Sequence, residues 1–308
     1  VIRRSHVYPG SVIDGRPQDR ALSKRLLGWF VEPAPSEAER YEATLNERLC
    51  AATASRANRI ALTSPKGGVG KTTCAFLLGD LLAAPAQLRV LAIDANRDYG
   101  TLASLVPEAA RAELTLGDLL EGIEVVRAWT ELRPYLSRLP TGLDVLAAPA
   151  RAETMARMTP CLYGQVLEFV SRYYDVVLLD LGTGVVDPLA RFALERADQT
   201  VLITTPDYVT AEKAARAAPD LLAVGDKAPS HTLADRVIVV VNRAPPQGDM
   251  REIKAAFRRA GVTRQVAIPD DQQLGLMLDS ATYSLEALSR SVRTSIKDLG
   301  VTVAGRLV

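Results

Sequence analysis

Two lysines bracket a glycine cluster in the stretch TSPKGGVGKTT, Thr63 to Thr73. Residues of these types at this spacing suit phosphate binding. Gly67, Gly68 and Gly70 let the backbone N–H groups around Val69 turn inward, and a helix starting at Lys71 would offer its N-terminus to an anion. Lys71 would then reach the β- and γ-phosphates, the Thr72 hydroxyl would hold Mg²⁺, and Thr73 could bond another phosphate oxygen. One lysine is enough for such a cradle, so Lys66 poses a question. So does Pro65, which stands where a strict G-x-x-x-x-G-K-[ST] loop has glycine.

Further polar residues sit where apolar runs end. VLAIDANRDYGTLA carries Asp94, Asn96 and Asp98, and YYDVVLLDLGTG carries Asp180 followed by Gly182 and Gly184. A carboxylate at the C-terminal end of a buried strand lies where open α/β sheets bind ligands. VIVVVNR places Asn242 and Arg243 just past another apolar run, and VAIPDDQQL places Pro269 and Asp270 past a third. Asn and Pro-Asp also favour ordinary turns.

KGGVGKTT resembles the deviant Walker A motif of the MinD/ParA family of ATPases, and the other motifs fall in that family's order. The resemblance covers Arg59 to about Arg306. It implies that Lys66 is the signature lysine, which reaches across an ATP-dependent homodimer to the partner's nucleotide. It implies that Asp94 lies near Mg²⁺, that Asp180 is the Walker B aspartate, and that the loop after it, with Gly182 and Gly184, is switch II. It further implies that Asn242 reads the adenine edge, next to Arg243, and that Pro269 and Asp270 flank the base. The family's second switch I aspartate is Asn96 here. An amide can position a water but cannot accept its proton, so slow ATP hydrolysis is expected. Asp98 is an alternative carboxylate, or else a solvated loop residue. LAIDANRDYGTLAS, PTGLDVLAA and DLGTGVVDPLARFALERADQTVLITTP look like the actinobacterial MinD-like ATPases associated with type VII secretion, the EspI-like group. That likeness implies a protein partner in a secretion or positioning system.

These residues need a scaffold, and the sequence predicts one. Short apolar runs at 59–64, 89–95, 143–148, 175–181, 200–205, 237–242 and 264–269 alternate with amphipathic helical stretches. Most runs are continuously apolar, as strands buried on both faces are. The expectation is an α/β fold: a mostly parallel central sheet flanked by helices, of the P-loop NTPase kind. AWTELRPYLSRL and LTLGDLLEG read as short helices. Residues 58–308 would form the ATPase domain and 1–57 an N-terminal extension or linker, with a helix at 36–54 opened by a Ser36/Glu39 capping box. LSKRLLGWFVEP, before that helix, reads either as a segment packed on the core or as one touching a membrane surface or partner. The final helix carries a narrow apolar stripe (Val292, Ile296, Leu299, Val303) that suits packing better than membrane binding.

Composition sets the outer limits. Lys and Arg number 37 against 36 Asp and Glu, so no global nucleic-acid footprint is visible; REIKAAFRRAGVTR is the local candidate for a DNA-binding face, possible but not favoured. Three scattered cysteines and two histidines make a disulfide framework or a histidine-based metal centre improbable. No run of eighteen apolar residues exists, and a cytoplasmic protein is expected, recruited to a membrane only through a partner. A start at Val1 suggests a piece of a longer chain. The readings carried forward are an ATP- and Mg²⁺-dependent dimerising switch, a non-hydrolysing nucleotide sensor, and a DNA-partition ATPase.

Overall fold

The apolar runs pair into one sheet in the computed structural model, which describes residues 35–96, 100–149, 152–183, 187–224, 236–245 and 250–308. The strands are β1 (Asn58–Ser64), β2 (Val90–Ala95), β3 (Leu136–Arg138), β4 (Asp144–Leu146), β5 (Val176–Thr183), β6 (Gln199–Thr204), β7 (Val237–Ala244) and β8 (Arg264–Pro269). Their order is β3-β4-β2-β5-β1-β6-β7-β8. Every neighbouring pair is parallel except β3 with β4.

Continuous apolar strands fit this sheet because both faces are covered. Ile60, Leu62, Val176, Leu178, Val201, Ile203, Ile238 and Val240 belong to one core. Their alternates Ala61, Val177, Leu179, Leu202, Val237, Val239 and Val241 belong to the other. The first core receives helices α1 (Glu37–Cys50), α2 (Lys71–Ala83) and, at the far end of the chain, Arg290–Ala304. The second receives Leu116–Gly122, Pro160–Val170, Pro188–Arg196 and Tyr208–Ala223.

Two expected elements differ in the structure. In AWTELRPYLSRL only Trp129–Leu132 is an α-helix; a 3₁₀ turn through Pro134 follows, and Leu136–Arg138 becomes the antiparallel edge strand. Proline stops the helix, and the turn at Gly142 (φ +96°) folds β3 back on β4. The N-terminal helix ends at Cys50 rather than residue 54. Its capping box forms as expected, Ser36 N–H and Glu39 N–H each bonding the other's side chain. Leu45 and Leu49 of α1 are fully buried in the first core, and the compact unit of the chain runs from Tyr41 to Val308, the remaining unit being Val1–Arg40. LSKRLLGWFVEP, Asp98 and Gly184 lie outside the described residues.

The last helix, Arg290–Ala304, buries Val292, Ile296, Leu299 and Val303 as the stripe required. Gly300 allows close approach there: a Cβ would come within 2.2 Å of Leu81 Cδ2 and 3.1 Å of Leu49 Cδ2. No helix among the described residues is long and apolar enough to cross a membrane.

Candidate nucleotide site

The loop between β1 and α2 is shaped by its own side chains. Ser64 Oγ donates to Lys66 O at 2.9 Å and accepts from Lys66 N–H at 3.2 Å. Gly68 and Gly70 take φ of +76° and +93°, a region that favours glycine. At Gly70 a second constraint acts, since a Cβ would meet Asn242 Nδ2 at 2.2 Å. Asn242, buried at the end of β7, donates from that nitrogen to Val69 O at 2.8 Å. The asparagine expected at the base therefore also buttresses the loop.

Beneath the loop, β2 and β5 place Asp94 and Asp180 in direct register. Both are buried. Asp180 Oδ2 accepts from Thr72 Oγ1 at 2.6 Å, while its Oδ1 has no hydrogen-bond partner. Asp94 accepts backbone N–H groups from Asn96 at 3.2 Å and Leu102 at 2.9 Å. Gly100 presses on the same carboxylate, for a Cβ would lie 2.3 Å from Asp94 Oδ2.

The electrostatics of this cluster are unbalanced. Burial, then the neighbouring Asp94, pushes the Asp180 carboxyl up to about 7. Burial also raises Asp94, against its two backbone hydrogen bonds. Lys71 is buried and its ammonium is disfavoured by burial, which the Asp180 charge opposes. One ammonium cannot satisfy two buried carboxylates. The orphaned Asp180 Oδ1, the oxygen-rich donor set and the surplus negative charge fit a hard divalent cation such as Mg²⁺, with Thr72 and Asp180 nearest to hand.

Above them opens a cavity of about 510 Å³ lined by Gly67, Gly68, Gly70, Lys71, Thr72, Thr73, Asn96, Thr101, Thr183 and Arg243. Thr101 and Thr183 had no sequence signal beyond lying in the two segments after β2 and in β5. Thr101 Oγ1 stands 3.4 Å from Thr72 Oγ1. Arg243 reaches the cavity from a residue with φ +56°. Pro269 and Asp270 do not line it; Asp270 N–H bonds Ala244 O at 3.0 Å and closes the end of β8 beside β7.

Lys66 is absent from the cavity lining as well. Its Nζ donates to Thr210 Oγ1 at 2.9 Å and lies 3.9 Å from Asp207 Oδ1. Asp207 caps the helix Tyr208–Ala223 by accepting from Thr210 N–H. Hydrogen bonds from Thr205 and Thr210 hold its carboxyl down at about 2. The basic stretch near 251 forms the helix Arg251–Arg259, with Phe257 inward and Arg251, Lys254, Arg258 and Arg259 exposed beside Glu252.

A mostly parallel sheet, a glycine loop that ends in a helix N-terminus with a buried lysine, and paired aspartates on adjoining strands define a P-loop nucleotide-binding protein. Comparison with known proteins narrows the class. Residues 57–220 match the family model described as an AAA domain. The chain is 31% identical over 278 residues to the ESX-1 secretion-associated protein EspI of Mycobacterium tuberculosis, an alignment covering 87% of this chain and 39% of EspI. It thus spans well under half the length of that relative. Two solved structures share its fold: a ParA family ATPase from Chlorobium tepidum (TM-score 0.63, 22% identity, 80% of this chain and 98% of that one) and MinD complexed with Mg-ADP from Pyrococcus horikoshii (TM-score 0.63, 19% identity, 79% and 94%). The chain belongs to the MinD/ParA family of P-loop ATPases, close to EspI.

Proposed function

We propose that this chain is an ATP-dependent switch: ATP with Mg²⁺ closes two copies into a homodimer, and slow hydrolysis reopens it. The observation that carries the reading is the division of labour between the two lysines. Lys71 is buried under the glycine loop beside Asp180, whereas Lys66 is turned away from its own cavity onto Thr210 and Asp207. A lysine not used by its own nucleotide remains available for a neighbour's, where a cation supplied in trans would spread γ-phosphate charge.

Within one copy, the N–H groups of Gly67 to Gly70 and the Lys71 ammonium would hold the phosphates, with Thr73 at a further oxygen. Mg²⁺, when bound with the nucleotide, would supply the positive charge that the phosphates and the buried carboxylates require. Thr72 and Asp180 would hold it, with Asp94 behind them. Arg243 lines the cavity from the end of β7, and with its neighbour Asn242 it would meet the base. Asn96 lines the cavity and would orient the attacking water, leaving its proton without a strong acceptor. Likeness to EspI over most of this chain supports a role in regulating or positioning a type VII secretion machinery. Lys71→Ala should abolish ATP binding, and unchanged affinity would refute this site.

Asn96 also favours a second reading, a sensor that binds ATP without turning it over. Steady-state phosphate release from the native chain and from Asn96→Asp separates the two. Measurable turnover in the native chain, raised in the variant, supports the switch; turnover in the variant alone supports the sensor.

A further inference from the structure

The pairing of β1 with β5 slips by one residue just below the phosphate loop. Leu62 stands opposite Asp180, but Ser64, two residues further along β1, stands opposite Thr183, three residues further along β5. An extra residue of this kind marks a bulge, and bulges re-aim the side chains that follow them. Leu178 lies in the first core and Leu179 in the second, so the strand alternates normally up to Asp180. Continued alternation would put Thr183 on the opposite side of the sheet from Asp180. The slip reverses this. Thr183 shares a side with Ser64, hence with Leu62 and Asp180, which is the side on which Thr72 bonds Asp180.

The slip brings Thr183 into the lining of the nucleotide cavity, at the point where β5 emerges from the core. Two contacts of the glycine loop give that cavity a direction. At Gly70 a Cβ would meet Asn242, whose neighbour Arg243 lines the cavity; at Gly67 a Cβ would stand 3.8 Å from Thr183 Cγ2. A nucleotide with its base toward Arg243 therefore runs its phosphates from Gly70 toward Gly67, and the last of them meets Thr183. The other hydroxyls nearby are already engaged, Thr72 donating to Asp180 and Thr101 to Thr72. The Thr183 hydroxyl makes no hydrogen bond among the described residues.

We propose that Thr183 is a specificity residue of this site: its hydroxyl donates to an oxygen of the terminal phosphate, so that a nucleoside triphosphate is held in preference to a diphosphate. The assignment rests on the ATP reading of the cavity and adds to it a residue that tells the two nucleotides apart. Phosphate oxygens are acceptors, and a hydrogen bond to a charged oxygen is stronger than one between neutral groups. A diphosphate ends one phosphate earlier and leaves the Thr183 hydroxyl to water. Because the contact is made within one copy, it does not require the second copy that Lys66 would serve.

The test is a calorimetric titration with Mg²⁺ and either ADP or a non-hydrolysable ATP analogue, on the native chain, Thr183→Val and Thr183→Ser. Valine keeps the β-branched shape that suits a strand end and removes only the donor; serine keeps the donor. Thr183→Val should weaken the analogue by about five-fold or more and ADP by less than about two-fold, whereas Thr183→Ser should bind both as the native chain does. The same pattern is expected in a Lys66→Ala background, where the lysine proposed to reach the neighbour's nucleotide is gone. Analogue binding unchanged in Thr183→Val, equal weakening of both nucleotides, or loss of the discrimination in Lys66→Ala would overturn the role of Thr183 while leaving the ATP reading in place. A native chain that binds neither nucleotide would overturn both.

Discussion

Asp94 and Asp180 stand side by side at the ends of β2 and β5, and the protein bears the cost of holding both out of water. Because burial raises the folded pKa of Asp180 to about 7, ionising it disfavours the folded state, and the penalty grows from the ordinary carboxylate range up to that pH. Asp180→Asn should therefore raise the thermal midpoint of the nucleotide-free protein, more at pH 8 than at pH 5, while removing Mg²⁺-dependent nucleotide binding. Scanning calorimetry at both pH values checks the first part, and binding with and without Mg²⁺ the second; a lower midpoint at pH 8 would contradict the electrostatic account. At this scale much of the candidate site's geometry is legible in the sequence. Lys71, Thr72 and the glycines are tied to one another by local spacing, so sequence reveals them. Thr210 and Asp207 hold Lys66 from 144 and 141 residues away, and no local pattern announces such a contact. Asn242 was read as a base contact; its bond to Val69 O is likewise a product of the tertiary fold.

The elements that position these residues include one at each end of the described chain. Helix α1 lies against the last helix through Leu45 and Leu49, and through a charge cluster in which Glu42 accepts from Arg293 Nε at 2.6 Å and Lys297 Nζ at 2.8 Å. The hydrogen bond from Arg293, with Lys297 beside it, holds the Glu42 carboxyl down at about 2 despite partial burial. A depressed pKa gives stability that is fully present above the ordinary glutamate range and fades as pH falls toward 2. Glu42→Gln should cost about 1–3 kcal/mol near neutrality, the loss being enlarged because Lys297 is nearly buried and would keep its charge. Chemical denaturation across pH tests this: the gap between native and variant should hold from pH 8 to 5 and shrink below about 4.5. A constant gap at all pH values would mean packing, not charge, joins the helices. The long strands and their helices were readable because continuous apolar runs have few other solutions. The three-residue β3 was not, because pairing with β4 outweighs the helical preference of its residues.

At the scale of the whole molecule, the proposed switch needs two copies of the chain. In a single copy the glycine loop and Asn96 line one cavity, but Lys66 is held at the N-terminal end of Tyr208–Ala223 and does not line it. The exposed Tyr208 and Val209 lie immediately beside that tether. Closing two copies would exchange the Thr210 and Asp207 contacts of Lys66 for phosphate oxygens across the interface, so assembly would depend on the γ-phosphate rather than on nucleotide alone. The measurement that tests this most directly is the molar mass of the full chain with Mg²⁺ and either ADP or a non-hydrolysable ATP analogue, repeated with Lys66→Ala. The account predicts a monomer with ADP, a dimer with the analogue, and a Lys66→Ala protein that binds the analogue yet stays monomeric. The same mass with both nucleotides, or a Lys66→Ala variant that dimerises as well as the native chain, would contradict it.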